Sequence, residues 1–162
     1  MDGVLVDISE RLRTANELSK EGYDFWRLFF SEDLIMLDKP RNVGIELLKD
    51  RAKLGSILII TGRPKRLKEI TIDQLIRFAG VKPDGIFMRM DNDYRPSVRL
   101  KIELLTRAIK EGYELIELHE DDEEVLKEVK REFPWIKLYL HSDNSFKVYW
   151  DPERHSLIKY LR

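Results

Sequence analysis

The stretch Gly55-Ser56-Ile57-Leu58-Ile59-Ile60-Thr61-Gly62 constrains this chain more than any other. A short, continuous apolar run between two glycines reads as a strand buried on both faces. That occurs where helices cover both sides of a parallel sheet. Around it, helical patterns alternate with short apolar runs, without linker, repeat or low-complexity stretch. Ser9 can cap a helix carrying Leu12, Ala15 and Leu18, which Gly22 ends. Residues 23–38 hold Tyr23, Phe25, Trp26, Phe29 and Phe30, a stripe read as core. Lys39-Pro40 breaks the chain, and Asn42 can cap a helix with Val43, Leu47 and Leu48 on one face. A helix follows Pro64 and stops at Gly80. Further strands are expected over 85–88, 115–119, 136–140 (with the alternation of an edge strand) and 146–150. Helices are expected over 96–110, 123–133 and 152–161.

Strands separated by helices form βα units with right-handed crossovers. The expected fold is therefore α/β, a three-layer α/β/α sandwich with a mainly parallel, Rossmann-like sheet, in a single domain over residues 1–162. Ligands of such sheets lie beyond the carboxyl ends of the strands. Polar residues stand at those ends: Thr61-Gly62-Arg63, Arg89, and His119-Glu120-Asp121-Asp122.

Composition narrows the function classes. A net charge of −1 gives no global attraction to nucleic acid or to an anionic membrane. No apolar run reaches the roughly 20 residues that span a bilayer, and no signal peptide is legible, so a cytoplasmic protein without a membrane partner is expected. The absence of cysteine removes disulfides, thiolate catalysis and Cys-ligated zinc. Charged residues make up 36% of the chain and it has a single glutamine, a composition that leans towards a thermophile. His119, His141 and His155 show no ligand spacing and are assigned no metal.

The segments Asp2-Gly3-Val4-Leu5-Val6-Asp7, Ile59-Ile60-Thr61-Gly62-Arg63, Lys101 and Glu120-Asp121-Asp122 resemble, in order and spacing, the second half of the first motif and the three further motifs of the haloacid dehalogenase (HAD) superfamily of phosphotransferases. The resemblance implies a HAD-type sheet and Mg²⁺-dependent phosphomonoester hydrolysis through an aspartyl-phosphate. It makes Asp2 the general acid/base and a backbone metal contact. Thr61 and Gly62 would hold a phosphoryl oxygen, Lys101 would offset charge at the nucleophile, and Asp121 and Asp122 would hold Mg²⁺. Oxygen-only ligation by carboxylates suits that ion. Each piece has a plain structural reading as well: a turn, a solvated lysine, acidic residues at a helix start.

A closer resemblance is to polynucleotide kinase-type 3′-phosphatase domains. Phe87-Met88-Arg89-Met90-Asp91-Asn92-Asp93-Tyr94-Arg95-Pro96 before Lys101 carries it, together with Asp24-Phe25-Trp26, Phe29-Phe30 and Asp38-Lys39-Pro40. It implies that Arg63, Arg89 and Arg95 line the phosphate pocket, where guanidinium forks suit phosphate. The segment between the first two motifs is too helical and short for a large cap domain. An open site would admit a nucleic-acid end or a nucleotide. Arg63-Pro64-Lys65-Arg66-Leu67-Lys68 adds a basic run able to contact phosphates.

In the superfamily the nucleophilic Asp stands two residues before Asp2, a position ahead of Met1. Two readings of the start compete. In one, a preceding strand ending in that Asp belongs to the natural protein, which this chain lacks as given. In the other, the start is real and the domain is catalytically inactive, binding phosphate or a protein partner. Either way, the chain as written is expected to be a poor phosphatase.

Overall fold

The apolar run after Gly55 forms a strand, β3 (Leu58–Pro64), paired in parallel with β4 (Gly85–Arg89). The pairing is regular from Leu58 opposite Gly85 to Thr61 opposite Met88, and then slips, so that Pro64 faces Arg89. Gly62 and Arg63 fall in the irregularity, which frees the strand end to re-aim its side chains. The computed structural model describes residues 1–154, and the chain divides into two compact units, Met1–Asp93 and Tyr94 onward.

In the first unit the chain turns tightly after Asp2. Gly3 adopts φ +73°, its N–H donates to the Val6 carbonyl at 3.0 Å, and the Leu5 N–H donates to the Met1 carbonyl at 2.9 Å. The turn leads into β1 (Val6–Asp7), antiparallel to β2 (Lys39–Pro40). Val4, Leu5 and Val6 are buried with Ile45 and Leu48 of α4 (Asn42–Ala52), Ile59 of β3, and Leu75 and Ala79 of α5 (Lys68–Ala79). Helix α4 approaches so closely that a Cβ on Gly44 would lie 2.0 Å from the Val4 carbonyl oxygen. A short 3-10 turn, Lys65–Leu67, precedes α5, which ends at Gly80 with φ +67°.

Helix α1 (Ser9–Lys20) starts as its sequence suggests but is capped differently. Ser9 is the first helical residue, and both its N–H (2.9 Å) and its hydroxyl (2.5 Å) donate to Asp7. Asn42 likewise opens α4 without a side-chain cap. The buried face of α1 is Arg11 and Ala15, while Leu12 is exposed. Two short helices follow, α2 (Phe25–Phe29), capped by Asp24, and α3 (Glu32–Ile35), capped by Ser31. The aromatic stripe is core only in part. Phe29 packs with Ala15 and Leu34, but Trp26 faces solvent.

The second unit holds α6 (Ser97–Lys110), β5 (Glu117–Glu120), α7 (Glu123–Glu132), β6 (Lys137–Ser142) and β7 (Ser145–Trp150). Leu100, Leu104, Leu105 and Ala108 of α6 are buried, as are Val125, Leu126 and Val129 of α7, on the faces their 3.6-residue period picks out. Strand β5 runs parallel to β6, and β7 pairs antiparallel on the other side of β6. β6 is thus a central strand, not the edge its alternation suggested, because the hairpin through Asp143-Asn144 brings β7 alongside. Leu115 and Ile116 precede β5 rather than forming its start. The helix expected over 152–161 lies largely outside the described residues. The protein is α/β, with small parallel, antiparallel and mixed sheets, and no helix among the described residues is long and apolar enough to cross a membrane.

Candidate active site

The carboxyl end of β3 is organised by Arg63, a fully buried arginine. A guanidinium has five N–H donors, and each finds an acceptor here. Nε donates to Asp2 at 2.9 Å, and NH2 donates to Asp2 at 2.6 Å and to Asp38 at 2.8 Å. NH1 donates to the Thr71 hydroxyl at 3.2 Å and to Gln74 at 2.8 Å. Gln74 is itself fixed, its amide donating to the Ile35 carbonyl at 2.7 Å. Expected at a substrate phosphate, Arg63 instead has its whole donor set engaged within the protein.

Arg11, also wholly buried, faces the same two carboxylates. It lies 2.9 Å from Asp2 and 2.9 Å from Asp38, in ion pairs not aligned as hydrogen bonds, and its guanidinium stands 4.4 Å from the centre of the Phe29 ring. Two cations and two anions therefore form a neutral cluster joining the chain start, α1, the approach to β2 and the end of β3. Charges taken from water need this pairing to persist. The Asp38 side chain is 0% exposed, whereas that of Asp2 is 24% exposed. Burial pushes the Asp38 carboxyl up from 3.8 to about 6, the two guanidiniums offsetting only part of that effect. At Asp2 burial acts in the same direction, but Arg63 and Arg11 outweigh it and bring the group down to about 2.

These shifts act on stability in opposite senses. With a folded pKa below its unfolded value, Asp2 contributes stability above that value, lost as pH falls from about 4 to about 2. Asp38 holds its proton to a higher pH when folded than when unfolded. Its contribution therefore declines as pH rises from about 4 to about 6. Urea midpoints of the parent and of Asp38→Asn, compared across this range, should show the parent losing ground to the variant between about pH 4 and 6. A parent that gains ground there would mean that the arginines, not burial, set the Asp38 proton.

Thr61 is buried, and its hydroxyl oxygen accepts the Arg63 N–H at 3.2 Å. Arg89, the last residue of β4, is half-buried and reaches across to β3, donating to the Gly62 carbonyl at 2.9 Å and to the Asp93 carbonyl at 2.9 Å. Arg89 thus lies against the Thr61-Gly62 turn. In the second unit Arg95 is exposed and ion-paired with Glu103 of α6.

The acidic segment of the second unit is equally ordered. Glu120, at the end of β5, is buried and accepts the Asp121 and Asp122 N–H groups at 3.1 and 3.2 Å through one oxygen. Its other oxygen meets the Lys101 ammonium at 2.5 Å. Burial works to raise the Glu120 pKa, but Lys101 and the hydrogen bonds hold it low. Asp122 caps α7, accepting the Glu124 N–H at 3.0 Å. The Asp121 carboxyl is pushed up to about 6, by desolvation and then by the adjacent Glu120. No group of three or more His, Cys, Asp or Glu residues among the described residues forms a ready metal cage. Mg²⁺ does not require one, since it keeps several waters and takes one or two carboxylates. Hard oxygen donors crowded by like charge at Asp121 fit that ion. Behind them, His119 hydrogen-bonds His141 at 2.9 Å and Glu117 at 3.1 Å, a contact no linear spacing announced.

Sequence reasoning missed Arg11, Asp38, Thr71 and Gln74 as members of the cluster. A signal existed in the phase: Arg11 and Ala15 share the inward face of α1, and Thr71, Gln74 and Leu75 that of α5. Polar residues at core positions need partners, and these supply one another. A sequence model of the polynucleotide kinase PNKP phosphatase domain matches residues 2–134. No match was found among curated proteins or among solved structures. The match takes in Asp2, Thr61-Gly62-Arg63, Lys101 and Glu120-Asp121-Asp122 and most of the chain, and the chain belongs to the HAD-superfamily phosphatase domains of the polynucleotide kinase type.

Proposed function

We propose that this chain is a Mg²⁺-dependent phosphomonoester hydrolase of the HAD type that acts through an aspartyl-phosphate on nucleic-acid 3′-phosphate ends or nucleotides. The observation that carries the reading is the bond between its first two motifs: Asp2 and Arg63, 61 residues apart, meet at 2.6 Å. The three-layer sandwich and a single functional domain across both units belong to the same reading.

In the first step of this family's reaction a carboxylate two positions before Asp2 would attack phosphorus, the ester P–O bond would break, and Asp2 would give its proton to the leaving oxygen. In the second, water would add to phosphorus, the aspartyl P–O bond would break, and Asp2 would take the proton back. At rest the paired arginines keep Asp2 ionised. A phosphate dianion and a second carboxylate beside it would raise its proton affinity as substrate arrives. Thr61 and the Gly62 N–H hold a phosphoryl oxygen, Lys101 offsets the charge, and Arg89 and Arg95 bind the substrate. Arg63 acts through Asp2, as a positioning residue. Asp121 and Asp122 would hold Mg²⁺, which would supply charge neutralisation at the phosphoryl oxygens.

Titration calorimetry tests the metal role. Asp121→Asn and Asp122→Asn should each weaken Mg²⁺ binding by about tenfold or more. Asn at 122 can still cap α7, so the fold should survive. Unchanged affinity in both variants would return the cluster to a helix-start role. One observation favours a second reading, a non-catalytic domain that binds phosphate or a protein partner: both Asp2 oxygens are already held by arginines, as in a purely structural salt bridge.

A further inference from the structure

Trp26 is 63% exposed, yet its ring is not loose. Phe25 meets it edge-on at 5.0 Å, Phe29 edge-on at 6.0 Å, and Phe30 lies nearly parallel to it at 5.9 Å, 17° between planes. Three aromatic neighbours thus fix an indole that remains largely in water. A ring already held in one orientation loses little further entropy when a flat partner stacks on it.

The segment that carries the ring is tied to the turn after β3. Arg66, three residues after Arg63, donates from NH2 to the Phe30 carbonyl at 3.2 Å, and its backbone N–H donates to Asp91 at 2.9 Å. Its side chain is 45% exposed and lies 3.7 Å from Asp91, which offsets part of its charge. Arg27, Lys65 and Lys68 are exposed on the same two segments. Of the nearby acids, Asp24 is engaged in capping α2, and Glu32 and Asp33 lie at the start of α3. Among residues 23–38 the exposed large apolar side chains are Tyr23, Trp26 and Met36, and the flat, fixed indole of Trp26 shares its surface segments with the exposed cations Arg27 and Arg66. A base with its phosphates matches it in both shape and charge.

We propose that Trp26, backed by Phe30 and bordered by Arg66, is a stacking platform for an unpaired base of single-stranded nucleic acid near its 3′-phosphate end. The inference rests on the functional reading above and adds the place where the strand is gripped. Stacking on an aromatic side chain tolerates any base, so the platform gives a preference for unpaired ends without a sequence code.

Fluorescence anisotropy with a 3′-phosphorylated oligothymidylate of about eight nucleotides tests it. Trp26→Ala should weaken binding by about 5- to 100-fold, while Trp26→Phe should recover most of the loss. On the unaltered protein, abasic positions next to the 3′ end should cost a similar factor, which frees the test from any folding defect of a variant. Equal binding by Trp26→Ala and by abasic strands would overturn the platform while leaving the substrate class standing. Failure of the unaltered protein to bind the oligonucleotide at all would overturn both. Trp26-dependent self-association in sedimentation, without oligonucleotide binding, would give the ring to a second copy of the chain and overturn the proposal.

Discussion

Arg63→Ala should destabilise the protein by about 3–5 kcal/mol, the scale for removing one partner of a buried ion pair. The loss has a definite origin. Five hydrogen bonds vanish, and of the two guanidiniums facing the Asp2 and Asp38 carboxylates only Arg11 remains, in unaligned ion pairs. Gln74 and Thr71 lose their guanidinium partner in the same buried space, and buried polar groups without partners cost about 1–3 kcal/mol each. Arg63→Lys should recover little, because an ammonium offers three donors from one atom where five in a plane are used. By contrast, Arg95→Ala at the exposed pair with Glu103 should change stability by less than about 1 kcal/mol. Denaturant titration reads all three. An Arg63→Ala protein as stable as its parent would mean that the cluster is not built as described and that Arg63 is available to substrate.

Much of this arrangement was legible in the sequence, and the reason is periodicity. The run 57–60 holds no polar residue to turn outward, so a strand buried on both faces is what it suggests. β3 formed there, but from Leu58 to Thr61 only Ile59 and Thr61 are buried, while Leu58 and Ile60 are half-buried. Helices α6 and α7 could be read from their spaced leucines and valines. The motif residues fell where strand ends were expected: Arg89 closes β4 and Glu120 closes β5. What could not be read was pairing across long separations. Arg11 carries a charge and so counts as solvated in any apolar pattern. Leu12 was placed inward in its stead, and nothing local shows that Asp38, 27 residues on, will meet Arg11. The edge-like alternation of β6 failed for a similar reason, since its outer partner, β7, carries the exposed face instead. Trp26 was read as core because its four aromatic neighbours are close in sequence. The structure uses three of them to hold the ring outward rather than to bury it. The role of Arg63 shows the limit most clearly. The motif locates the residue, but whether its donors face a phosphate or the protein depends on Thr71 and Gln74, one and two turns into the following helix.

Phosphate release tests the central claim most directly, measured with Mg²⁺ on a 3′-phosphorylated oligonucleotide beside a small phosphomonoester. Three proteins should be compared: the chain beginning at Met1, the same chain preceded by an apolar strand ending in Asp immediately before Met1, and that extension with Asn in place of the Asp. In the structure, Asp2 is held by Arg11 and Arg63, and Asp7 accepts two bonds from Ser9, so neither is free to attack phosphorus. The account predicts little or no turnover by the first and third proteins. The extended protein should be faster by at least about 10⁴-fold, the scale on which losing a nucleophile costs an enzyme, with the oligonucleotide preferred over the small ester. Strong turnover by the chain beginning at Met1, with phosphate trapped on Asp2 or Asp7, would contradict it.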